Sequence, residues 1–77
     1  MPWEDVTQAW HSIAECLARE FRHLDAAALR RFRGDREKLV TYIADAHDLT
    51  LAEAAETLED WLTIHGRRIL AGVLETV

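Results

Sequence analysis

Large apolar residues fall at Trp3, Val6, Trp10, Ile13, Leu17, Phe21 and Leu24, in steps of three and four. That spacing keeps them on one side of a helix. Glu4, Asp5, Gln8, His11, Ser12, Glu15, Arg19 and Arg22 lie off the stripe. Pro2 suits a first helical turn, and Glu4 and Asp5 suit its positive end. The pattern predicts a helix over residues 3–23. Asp25 then reads as an N-cap, with Leu24 and Leu29 as a hydrophobic staple around it. A short second helix follows, with Leu29 and Phe32 pointing inward. It ends near Arg33, because Gly34 suits the left-handed residue that closes a helix. Asp35 caps a third helix, residues 36–47, whose inner face is Leu39, Val40, Ile43 and Ala46 or His47. Tyr42 belongs at its rim with the hydroxyl in water. Thr50-Leu51-Ala52-Glu53 reads as a capping box. It opens a fourth helix with Leu51, Ala54, Ala55, Leu58, Trp61, Leu62 and His65 on one face.

Beyond Gly66 the chain offers two outcomes. Ile69, Leu70, Val73, Leu74 and Val77 continue at helical spacing, close to the same face. If Gly66 breaks the helix, a short fifth helix folds back on the core. If the helix runs on, its roughly 26 residues span about 39 Å. A domain of this length has a radius of gyration of only about 11–12 Å. A protruding apolar stripe finds a partner, most simply a second copy about a two-fold axis. Each large apolar residue buried is worth ~1.5–3 kcal/mol, against a net margin of about 4–12 kcal/mol for so small a domain. Docking or dimerisation of the tail is therefore expected, through Ile69, Leu70, Val73, Leu74 and Val77. The fold class is all-α: one domain over 1–77, a small bundle of four or five short helices with a long or broken C-terminal helix.

Composition narrows the class. A hydrophobic fraction of 49% excludes a disordered chain. One Cys excludes an internal disulfide and fits a reducing compartment. No apolar run approaches the ~20 residues of a membrane span. The first residues lack the basic start and apolar core of a signal peptide. A cytoplasmic, soluble protein is expected. The net charge of −5 is unevenly placed. Residues 26–40 carry +3, and residues 41–65 carry −6 with no Lys or Arg. The basic block Arg30, Arg31, Arg33, Arg36 and Lys38 and the acidic block after it read first as two solvated helix faces, with attraction between them, within one chain or between two, as the alternative. An acidic whole argues against nonspecific nucleic-acid binding.

Candidate chemistry is sparse. His11 and Glu15 stand four apart on one helix, a metal-compatible spacing, but two ligands are too few. His23 and His47 stand alone. His65 falls on an apolar face, where a satisfied, partly buried histidine is favoured over one that makes association pH-sensitive. Cys16 lies at the edge of the first stripe with no base spaced to activate it. The third and fourth helices mimic a helix-turn-helix, yet the would-be recognition helix begins Leu51-Ala52-Glu53-Ala54-Ala55-Glu56, with acids where phosphates would sit. The expectation is a non-enzymatic chain with no cofactor, metal or small-molecule substrate. It associates with itself or with a protein partner. The alternative is a small nucleic-acid- or regulator-binding domain using the basic block.

Trp3 and Trp10, Leu24 before an acidic cap, Leu29, the run Gly34-Asp35-Arg36-Glu37-Lys38-Leu39-Val40, Ile43, Glu53-Ala54 and Trp61 form a register. That register resembles the CsbD-like family of small bacterial stress-response proteins, whose pattern at the glycine is Gly-Lys-Arg-Glu-Gln-Leu-Val. The resemblance covers residues 1–62, with 63–77 as an apolar extension. It implies a small all-helical domain, a link to general stress response and no established biochemical activity. The chain departs from the family at Gln8 and Glu15, where Gly is expected, at Phe21, where Trp is common, and at His47-Asp48, which replaces Tyr-Gly. With the apolar tail, these departures point to a more firmly folded, self-associating variant.

Overall fold

The computed structural model describes the backbone of residues 2–75 and the side chains of residues 2–72. Among these residues the chain is all-α, with no strand. The elements are α1 (Trp3–Gln8), α2 (Trp10–Glu20), α3 (Ala26–Arg31), α4 (Arg36–His47), α5 (Leu51–Trp61) and α6 (Arg67–Glu75), the last two joined by a π turn over Leu62–Gly66. The core is one cluster running from Val6 to Leu62, drawn from α1 to α5 and their junctions, and no polar or charged residue is buried in it.

The single helix expected over 3–23 is two. Ala9 leaves helical geometry (φ −99°, ψ 19°), and α2 stops at Glu20, where Phe21 turns extended. The apolar stripe survives the bend: Val6, Trp10, Ile13 and Leu17 are all buried. The bend sets two indoles against the next segment. Trp10 Nε1–H donates to the Leu29 carbonyl at 2.9 Å, and Trp3 Nε1–H to the Gly34 carbonyl at 2.7 Å. The second helix ends at Arg31, short of Arg33. Arg33 is itself left-handed (φ 51°), followed by Gly34 at φ 84°. The reversal thus uses two left-handed residues where one was expected.

The capping residues act as their chemistry predicts. Asp25 accepts from the Ala28 amide, Asp35 from the Lys38 amide, and Thr50 with Glu53 closes a reciprocal capping box. α4 spans the residues expected of it and ends on left-handed Asp48, with the Leu49 amide returning to the Ala44 carbonyl at 2.9 Å. Tyr42 lies half-buried at the rim, and its hydroxyl accepts the Asp25 amide at 2.9 Å at an exposed position, tying α4 to the start of α3. One side chain departs from expectation. Leu51 is 59% exposed, because as the first residue of α5 it sits at the helix end, outside the seam with α4.

Gly66 does not end the C-terminal helix. At about 100° per residue, the pair Ile69–Leu70 falls roughly a quarter-turn away from the stripe Ala54, Leu58, Trp61, Leu62 on a straight helix. "Close to the same face" was therefore too generous. The π turn holds one residue more than an α turn and takes back roughly that rotation. Ile69 and Leu70 return to the core side, half-buried against the cluster, with α6 lying along α2. Leu51 to Glu75 form a nearly continuous rod, and the molecule measures 37 × 23 × 19 Å with a radius of gyration of 11.7 Å.

Gly34→Ala is expected to be costly. A Cβ there would lie 2.9 Å from Thr7 Cγ2 and 3.0 Å from Thr7 Oγ1, on a backbone that L residues avoid. We expect a loss of about 2 kcal/mol, seen as a fall in Tm of roughly 8–16 °C; an unchanged thermal melt contradicts it. A second expectation concerns acid. The Thr50 amide first and its hydroxyl second hold the Glu53 carboxyl below its ordinary value of 4.5. A lowered folded value means the stabilisation is present above the ordinary value and is lost as pH falls through the folded one. Glu53→Gln should therefore be less stable than the parent near neutrality, with the gap closing as pH drops below about 4. Denaturant midpoints across pH measure this, and a gap constant with pH rules it out.

Candidate functional site

The most structured surface is the seam between α2 and α6, which run antiparallel. Ser12 and Gly72 meet at one end, Cys16 and Arg19 face Arg68 and Ile69 in the middle, and Glu20 lies near Trp61 and His65 at the other. Two adjoining depressions of about 330 Å³ and about 320 Å³ share the four middle residues and form one trough. Its side chains come from matching helical stripes. On α2 these are Ser12, Glu15, Cys16 and Arg19; on α6 and the turn before it they are His65, Arg68, Ile69 and Gly72, each at intervals of three or four. Among the described residues neither Arg19 nor Arg68 has an ion-pair partner, whereas Glu15 is engaged by His11 at 3.2 Å.

Trp61 forms part of the trough wall. It is 6% exposed, its ring centroid is 5.3 Å from that of His65, and its Nε1 has no acceptor. The other two indoles donate to backbone carbonyls. A buried donor left unpaired forfeits about 1–3 kcal/mol, and among the described residues this indole shares that condition with His47 Nε2. Cys16 is half-buried and packs against the core, a free thiol with a structural role.

Of the residues expected to mediate association, Ile69 and Leu70 are half-buried on the core. The side chains of Val73 and Leu74, and Val77 altogether, lie outside the described residues. Ile64, which the sequence pattern passed over, is 72% exposed. The signal was there: Ile64 sits off the stripe formed by Leu58, Trp61, Leu62 and His65.

The basic block does not form one patch. Arg30, Arg31 and Arg33 are exposed around a shallow depression with Ala27. Arg36 turns away, 3.3 Å from Glu59 and 6.0 Å from the centroid of the Trp3 ring. This pair realises the attraction between basic and acidic blocks within one chain, although an exposed pair contributes little. Lys38 lies elsewhere, beside Glu37, Tyr42 and Asp45. On α5 the acids Glu53, Glu56, Glu59 and Asp60 are all exposed.

His23 and His47, separate in the sequence reading, are neighbours. Their ring centroids are 5.3 Å apart, with Phe21 5.6 Å from His47, and the His47 Nε2 is buried without a partner. Among the described residues no group of three or more His, Cys, Asp or Glu is placed to hold a metal ion. No described helix is long and apolar enough to cross a membrane. Comparison of the chain with protein-family models, with curated proteins and with solved structures finds no match.

Proposed function

We propose that this chain is a small, non-enzymatic helical module that self-associates through its C-terminal helix. One observation carries the reading. The helix passes Gly66 unbroken and runs to Glu75, yet Leu70 is only half-covered by its own chain. Leu70, Val73, Leu74 and Val77 follow at intervals of three and four, so the stripe that Leu70 opens continues along the sequence past the end of the bundle. Self-pairing about a two-fold axis is the simplest cover for such a stripe. The register shared with CsbD-like proteins over residues 1–62 supports a role in bacterial stress response, and the single free thiol suits the cytoplasm. Splitting of the basic block and the acids of α5 count against nucleic acid as the partner.

Sedimentation at micromolar concentration tests this. The chain should sediment at twice its 8.8 kDa mass. Leu70→Glu with Leu74→Glu, or truncation after Gly72, should return it to a monomer with its helical circular dichroism retained. The truncation leaves the α2–α6 seam in place, so a folding defect in the double variant does not obscure the result. A compact monomer for the parent chain overturns the proposal.

A further inference from the structure

The trough between α2 and α6 is a second surface, distinct from the association stripe. It is lined by His65, Arg68, Ile69 and Gly72 on the C-terminal side. Leu70, Val73, Leu74 and Val77 repeat that spacing five positions on, roughly 140° around the helix at 100° per residue. Covering one face leaves the other open.

Its chemistry is specific. Two exposed arginines, Arg19 from α2 and Arg68 from α6, line it from opposite helices without ion-pair partners among the described residues. Trp61 and Ile69 supply apolar wall. Its volume of about 330 Å³ lies at the small end of ligand sites. Two arginines on one concave, partly apolar surface match a carboxylate head with an apolar body. Glu20 on the same rim opposes a second negative charge. That selects a monoanion over a phosphate or a polyanion. We propose that this trough binds a small organic monocarboxylate, its carboxylate held between Arg19 and Arg68 and its apolar part laid against Trp61 and Ile69.

The carboxylate completes two charge-assisted contacts, against the ordering of two exposed arginine side chains, which is why binding is expected only at millimolar ligand.

The test is a titration of the intact protein with phenylacetate, followed by the indole N–H resonances. Trp61 is assigned from Trp61→Phe. A saturable shift of the Trp61 resonance is expected at millimolar ligand, with Trp3 and Trp10 unmoved. The neutral isostere phenylacetamide and inorganic phosphate should each bind at least about tenfold more weakly. Arg19→Gln and Arg68→Gln, both at exposed positions, should each lose about tenfold in affinity with unchanged thermal melts. No shift at Trp61, equal binding of the amide, or arginine variants that bind as the parent does would each overturn the proposal. Phosphate binding as tightly as phenylacetate would overturn the monocarboxylate assignment.

Discussion

The indole of Trp10, buried and donating to the Leu29 carbonyl, ties α2 to α3. Around it everything enclosed is apolar. A core of this kind specifies little beyond hydrophobic contact, and many helix arrangements would satisfy it. The two directional bonds from Trp10 and Trp3 select among them, because each fixes one helix against one particular carbonyl. The Trp3 bond ends on Gly34, whose left-handed backbone and close approach to Thr7 leave no room for a side chain. Aromatic donors and glycine reversal therefore act as one device. The bend at Ala9 belongs to it, since it falls between the two indoles.

At the other end the governing constraint is rotational. A helix that buries one stripe against α4 and a later stripe against α2 must bring both to the core side. The sequence spaces these stripes about one residue out of phase. A π turn is the least costly correction, keeping the backbone hydrogen-bonded while absorbing the extra residue. Gly66, the obvious candidate for a stop, sits buried in that turn instead. The same turn carries His65 and follows Trp61, so the device that realigns the helix also shapes the end of the trough.

Much of the fold was legible in the sequence because its signals are local. Asp25, Asp35 and the Thr50–Glu53 box mark helix starts through bonds made within three residues, and each is present. The α4 boundaries follow from such signals alone. What escaped is non-local. Nothing near Ala9 announces a bend, which answers to carbonyls about twenty or more positions away. The bond that the Tyr42 hydroxyl accepts at the rim escaped because its donor, the Asp25 amide, belongs to the cap of another helix. The proximity of His23 to His47 and the parting of Arg36 from Arg30, Arg31 and Arg33 are likewise products of packing. The trough was invisible for the same reason. Cys16, Arg19, Trp61 and Arg68 are unremarkable until two antiparallel helices bring them together.

That history bears on how one short helix can serve two surfaces. A helix of a small bundle spends one stripe on its own core and normally leaves the rest to water. α6 contributes Ile69 to the edge of the core while Arg68 and Leu70, its neighbours in sequence, lie about 100° to either side. Ile69 and Leu70 both rest against the core, and Ile69 also borders the trough beside Arg68. The anchoring depends on the π turn. On a straight helix Ile69 would rotate out of its seat, Arg68 would no longer face Arg19, and the Leu70 stripe would turn away from the bundle. The extra residue in that turn is thus what returns Ile69 and Leu70 to the core side.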